Sequence, residues 1–91
     1  MSKSCVHCVV SGRVQGVYYR ASTEEIAQKI GITGWVRNMP NGDVEVTACG
    51  DKEQIQELIA WMHRGPSLAK VDSLVQESIE LEEFSNFEAR Y

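Results

Sequence analysis

Asn41-Gly42 lies near the middle of the chain between two short strand-like segments, and no other feature narrows the fold so far. Asn-Gly readily supplies the left-handed residues of a tight turn, so the flanking segments are expected to pair as an antiparallel hairpin. On one side, Val44, Val46 and Ala48 alternate with Asp43, Glu45 and Thr47 over 43–49. On the other, 33–38 forms the matching strand. Moving outward from this hairpin, each side meets first a helical pattern and then another strand.

On the N-terminal side, Ser22 with Glu25 three residues on forms a capping box, and Ile26, Ala27 and Ile30 make the buried stripe. Gly31 is placed to end that helix. A strand over Cys5–Ser11 precedes it. On the C-terminal side, Asp51 caps a helix whose Ile55, Leu58, Ile59 and Met62 fall at i, i+3, i+4 and i+7. His63 and Arg64 suit its negative end, and Gly65-Pro66 stop it. A strand over Val71–Leu81 follows, and Phe84, Phe87 and Tyr91 are expected to tie down the tail as a short extra strand. The order β-α-β-β-α-β predicts an α+β, ferredoxin-like sandwich, an antiparallel sheet with two helices on one face. Ninety-one residues leave room for one core, so 1–91 is expected to be a single domain.

A chain 43% hydrophobic and 24% charged is neither disordered nor fibrous. Its formal charge of −4 argues against a nucleic-acid binder held by bulk charge. The charge is uneven, however. Residues 1–40 carry five basic side chains (Lys3, Arg13, Arg20, Lys29, Arg37) against two acids (Glu24, Glu25), so an anion site is expected in that half. The Met1-Ser2-Lys3-Ser4-Cys5 start lacks the apolar core of a secretory signal, and no apolar run reaches the roughly 20 residues of a membrane span. The expected setting is the cytoplasm, with no membrane partner.

The segment Gly12 to Arg20 leaves a strand and enters a helix. Such a junction offers free backbone N–H groups and the positive end of a helix, which together suit a phosphate. Gly16 lets successive amides turn inward as a nest, and Arg20 adds a permanent two-pronged charge. Neither G-x-x-x-x-G-K-[ST] nor G-x-G-x-x-G is present, so this is not a nucleotide loop. A turn carrying solvated arginines is the competing explanation. In a ferredoxin-like topology the end of strand one, the start of helix one and the end of strand two share one edge. Loop 12–20 can therefore meet Asn38.

Gly12-Arg13-Val14-Gln15-Gly16-Val17-Tyr18-Tyr19-Arg20, then Thr23, Ala27, Gly31, Gly34-Trp35-Val36-Arg37-Asn38 and Asn41-Gly42-Asp43-Val44, closely resemble the acylphosphatase family over nearly the whole chain. The resemblance implies hydrolysis of acyl phosphates to a carboxylate and inorganic phosphate, with no metal and no cofactor. It implies that Arg20 binds the phosphate and Asn38 positions the attacking water. It also implies that the amides of Gln15, Gly16, Val17, Tyr18, Tyr19 and Arg20 cradle the phosphoryl group. Tyr19 departs from the family's usual Phe before the arginine, and its hydroxyl needs a partner.

The chemistry is consistent with so sparse a set. A carboxylate leaves readily, so the protein has only to hold the phosphoryl, spread its charge and align water. Asn38 can both accept and donate without ionising. The alternative is a non-catalytic phosphate or carbamoyl phosphate sensor, which would have no need of Asn38. An RNA-binding sheet is disfavoured, because strands one and three would present Cys5, His7, Val9 and Ser11 beside Asp43, Glu45, Thr47 and Cys49, with no aromatic ring. His7 and His63 are expected at the surface, Trp35 and Trp61 in packing, and Glu80, Glu82 and Glu83 in solvent. Arg13 and Arg37 either enrich the field of the anion site or are solvated. A monomer is expected, and the acyl part of the substrate is unread.

Cys5 and Cys8 form a C-x-x-C, but at i and i+3 of a strand they point to opposite faces and cannot share a metal. Face assignment puts Val6, Cys8 and Val10 on the core side. Cys5 is then left on the open face, where it can meet Cys49 of the neighbouring strand. A Cys5–Cys49 disulfide is geometrically open, although a reducing cytoplasm favours free thiols.

Overall fold

The computed structural model describes residues 3–91. Its elements are β1 (Lys3–Arg13), α1 (Tyr19–Ile30), β2 (Thr33–Asn38), β3 (Val44–Asp51), α2 (Lys52–Arg64), β4 (Lys70–Ile79) and β5 (Phe87–Arg90). The sheet order is β4-β1-β3-β2-β5. Neighbours are antiparallel except that β5 lies parallel to β2, which makes the sheet mixed at that edge. The α+β ferredoxin-like architecture is the one anticipated, and the expected tail strand forms as β5, though parallel to its neighbour where an antiparallel sheet was expected.

The core lies between the helices and one face of the sheet. Val6, Cys8 and Val10 of β1, Val36 of β2 and Val44, Val46 and Ala48 of β3 meet Ala27 of α1 and Ile55, Leu58 and Met62 of α2. Strand alternation places these residues on one side, and the 3.6-residue period brings the helix stripes down onto them. Gly34 sits where the β2 backbone runs close against β3. Its φ is +135°, and a Cβ there would overlap the Thr47 carbonyl, so no larger residue fits.

Helix α1 begins three residues before the expected Ser22. Tyr18 precedes it in a left-handed conformation with no side-chain cap, so the Ser22–Glu25 capping box does not form the start. The early start is explained by Tyr19. Its ring is buried, and its hydroxyl donates to the Met62 carbonyl of α2 at 2.7 Å. The fully buried residues of α1 are Tyr19, Thr23 and Ala27, while Ile26 and Ile30 are half-buried. Thr23 satisfies its own hydroxyl by donating to the Tyr19 carbonyl at 2.8 Å.

The tail differs from expectation in a similar way. Phe87 is buried and anchors β5, but Tyr91 is 97% exposed and does not pack into the core. Polar contacts hold the strand to α1 instead: Gln28 Nε2 donates to the Phe87 carbonyl, and the Ala89 N–H donates to Glu24 Oε2. The ends of the strands also shift. β1 runs longer than Cys5–Ser11 because β3 pairs it from Lys3 and β4 pairs it as far as Arg13.

Among the described residues no helix is long and apolar enough to cross a membrane.

Candidate active site

Beyond Ser11, β1 loses its regular pairing: the register with β4 slips between Ser11 and Gly12. The chain then bends through Gly16 (φ 74°) and Tyr18 (φ 66°) before entering α1. Two apolar side chains, Val14 and Val17, are buried and pin the loop to the core. A third anchor is polar. Gln15 Nε2 donates to the carbonyls of Met39 and Asp43, both at 2.8 Å, and so ties this loop to the β2–β3 turn. The first helical hydrogen bond runs from the Ser22 N–H to the Tyr18 carbonyl. The amides of Tyr19, Arg20 and Ala21 are therefore first-turn donors without helical acceptors.

These segments surround an open cavity of about 310 Å³ lined by Gln15, Gly16, Tyr18, Arg20, Asn38 and Tyr91, among others. Of the residues singled out from the sequence, Tyr19 also lines it, whereas Val17 does not. Gly16 faces open space, where an added Cβ would meet nothing within 4 Å. Its positive φ, rather than crowding, is the reason for glycine.

Arg20 is half-buried on the first turn of α1. Its guanidinium carbon lies 3.9 Å from the centre of the Tyr91 ring, and its Nη1 is 3.5 Å from the Arg90 carbonyl. Among the described residues no carboxylate pairs with it, so its charge is not neutralised. Asn38 ends β2 at the same edge, and its Oδ1 is buried without a hydrogen-bond partner among the described residues. An unmet buried acceptor is costly, by about 1–3 kcal/mol, and such atoms gather where function rather than packing decides.

The sequence pattern assigns Tyr91 to the tail strand and points neither it nor Arg90 toward Arg20. Their place beside Arg20 follows from the parallel pairing of β5 with β2, where Arg37 aligns with Arg90. No local pattern signals so distant a pairing.

Other candidate groups lie elsewhere. Arg37 is hydrogen-bonded to Glu45 on the open sheet face, and His7 Nε2 stands 2.6 Å from the other oxygen of that carboxylate. Burial pushes the Glu45 carboxyl up, but the hydrogen bonds and charges of His7 and Arg37 outweigh it and hold it below its ordinary value. Arg37 therefore does not serve the cavity, and Arg13 does not line it. Trp35 lies beneath Arg37 and Arg90, and Trp61 packs against Tyr19. Burial pushes the Cys8 thiol up to about 11, which makes it inert at neutral pH, and lifts the Tyr19 phenol above its ordinary range.

Cys5 and Cys49 face each other in the β1–β3 register, and their sulfurs are bonded at 2.02 Å. The pair is not on an open surface as the face assignment implied. Both residues are 1% exposed, and the Glu82 N–H, from the segment after β4, donates to Cys5 Sγ at 3.4 Å. Among the described residues no cluster of three or more His, Cys, Asp and Glu side chains is placed to hold a metal ion.

The acylphosphatase family profile matches residues 6–89. The chain is 47% identical over 87 residues to an acylphosphatase of Nitrosococcus oceani, covering 96% of this chain and 98% of that one. It is 53% identical over 83 residues to an acylphosphatase of Methylococcus capsulatus, covering 90% of each. The solved structure of an acylphosphatase from Coxiella burnetii superposes with a TM-score of 0.94 at 42% identity, over 97% of this chain and 93% of that one.

Proposed function

This chain belongs to the acylphosphatase family, and on that premise we propose that it hydrolyses the carboxyl–phosphate bond of acyl phosphates. Water adds to phosphorus, the bond from phosphorus to the acyl oxygen breaks, and that electron pair leaves on the carboxylate. The water protons pass to the phosphate and solvent. Arg20 and the amides of 15–20 hold the phosphoryl oxygens and spread the charge that shifts in the transition state. Asn38 positions the attacking water through its side-chain amide and fixes its line of approach. No general acid is needed, because the carboxylate leaving group is already a weak base.

The observation that carries this reading is that Asn38 lines one cavity with Arg20, which no carboxylate pairs among the described residues. A phosphate needs only donors, whereas the Asn38 amide can both accept from and donate to a water. The substrate is a small acyl phosphate, and neither metal nor cofactor is required. The protein acts as one domain over 1–91, as a cytoplasmic monomer.

The deciding experiment measures phosphate release from acetyl and benzoyl phosphate in the presence of a strong chelator. Turnover well above spontaneous hydrolysis is expected. Saturable phosphate binding without turnover would instead make the chain a phosphate or carbamoyl phosphate sensor.

A further inference from the structure

The acid best placed to neutralise Arg20 does not do so. Glu24 follows Arg20 by four residues on α1, so the two side chains leave one face of the helix with Cβ atoms about 5–6 Å apart. No other acid stands three or four residues from Arg20 in the chain. Arg20 also sits in the first turn, where the helix dipole disfavours a cation, and that turn holds no acid. Yet no ion pair joins Arg20 and Glu24 among the described residues. Glu24 Oε2 instead accepts the Ala89 N–H at 2.8 Å.

The position of β5 explains this diversion. It is the outermost strand beside β2, and the Gly34 N–H donates to the Asn86 carbonyl. Alternation along the strand then turns the Phe87 carbonyl and the Ala89 N–H to the outer edge, where a sheet has no partner for them. Side chains of α1 cover that edge: Gln28 Nε2 donates to the Phe87 carbonyl, and Glu24 takes the Ala89 N–H. Arg20 completes the row against the Tyr91 ring. The spacings match, because four helical residues rise about 6 Å and two strand residues about 6.6 Å. A carboxylate on a part-buried N–H makes a charge-assisted hydrogen bond, which outcompetes an ion pair on a helix surface.

We propose that Glu24 is a positioning residue: β5 engages its carboxylate through the Ala89 N–H and thereby leaves the Arg20 guanidinium free for the phosphoryl group. This rests on the acylphosphatase reading. Once released from Ala89, the Glu24 carboxylate turns to Arg20 and competes with phosphate for the same donors.

The test reads the Kd of inorganic phosphate by titration calorimetry at low salt, with KM and kcat for acetyl phosphate beside it. The proteins are the parent, Glu24→Gln, Ala89→Pro and Ala89→Pro/Glu24→Gln. Proline removes the N–H and is tolerated at a sheet edge. Ala89→Pro should weaken phosphate binding about threefold, the share of Arg20 that a helix ion pair withdraws. Its KM should rise alike, while kcat holds because saturating substrate displaces the carboxylate. Adding Glu24→Gln should restore affinity to that of Glu24→Gln alone, since the amide has no charge with which to compete. A loss that persists in the double variant belongs to the displaced strand and overturns the proposal, as does unchanged affinity in Ala89→Pro. If Ala89→Pro does not fold, Glu24→Asp and Glu24→Asn take its place, because both side chains fall short of Ala89 and only one is charged. Glu24→Asp should bind phosphate about threefold more weakly than Glu24→Asn, and equal affinities overturn the proposal. Absent turnover in the parent defeats the acylphosphatase reading, whereas the affinity differences decide the role of Glu24, so the two failures are distinguishable.

Discussion

At its Lys3 end, β1 is paired with β3 from the first described residue, cross-linked through Cys5–Cys49 and covered by the chain around Glu82. At its Arg13 end, the same strand has lost β3, slips in register against β4 and gives way to a loop with two left-handed residues. Polar groups follow the same division. Near the cross-link, the N-cap of α2 donates its Asp51 N–H to Gln54 Oε1, and Gln54 Nε2 donates in turn to the Ile30 carbonyl. Near the loop, Asn38 Oδ1 has no partner among the described residues and Arg20 has no carboxylate. One end of the sheet has its polar groups paired, and the other leaves two of them without such partners among the described residues. Altering one end should therefore move a different observable from altering the other.

The largest effects are expected at the loop end, in rate. Arg20→Ala should lower kcat/KM on the order of 1,000-fold, and Arg20→Lys should recover little, because a point charge does not match two phosphate oxygens. Asn38→Ala should lower kcat about 100-fold while inorganic phosphate still inhibits. Thermal unfolding should barely change in either. A loss of folding comparable with the loss of rate would break the division.

At the cross-linked end the expected effect is in stability. The disulfide closes a sequence separation of 44 residues, for which chain entropy allows up to about 4 kcal/mol. Cys49→Ala should lower denaturant stability by about 2–4 kcal/mol and leave kcat near the parent value at 25 °C. Equal unfolding midpoints for Cys49→Ala and the untreated parent would mean that the bond contributes nothing.

Tyr19→Phe probes the boundary between the two regions, since this residue starts α1 at the site yet bonds to the end of α2. It should cost about 1 kcal/mol in unfolding, with little change in phosphate inhibition.

The smallest effect concerns pH. The carboxyl of Glu45 is held below its ordinary 4.5 in the folded state, so it binds its proton less readily there than in the unfolded chain. Its contribution is complete above 4.5 and is lost as pH falls through the lowered folded value. The stability advantage of the parent over Glu45→Gln should shrink over that window, by less than about 1 kcal/mol in total. An advantage constant down to pH 3 would remove the ion pair from the account.

Much of this arrangement can be read from local residue patterns. Alternation in β3, the Asn41-Gly42 turn and the Ile55–Met62 stripe each follow from contacts within a few residues, and β2 occupies the expected 33–38. The Gly12–Arg20 loop and Asn38 meet because strand direction alone brings them to one edge. What escaped was set by distant partners. Ser22 offers a good local cap, but burying Tyr19 against α2 begins the helix earlier. Tyr91 has the composition of a core residue, yet the parallel pairing of β5 carries it out to Arg20. The cysteine pair is enclosed because the segment after β4 crosses it, which no strand pattern records.

The side-chain amide of Gln15 bridges the loop to both Met39 and Asp43, at the two ends of the hairpin turn. Opening the loop would break both bonds at once, so its local unfolding is coupled to that of the turn. Amide hydrogens of the two segments should then exchange with solvent as one cooperative unit, and Gln15→Ala should let them exchange independently. On the proposed function, the ordering that a phosphate would otherwise have to impose on a slack loop is completed during folding, and the ligand would arrive at donors already at rest.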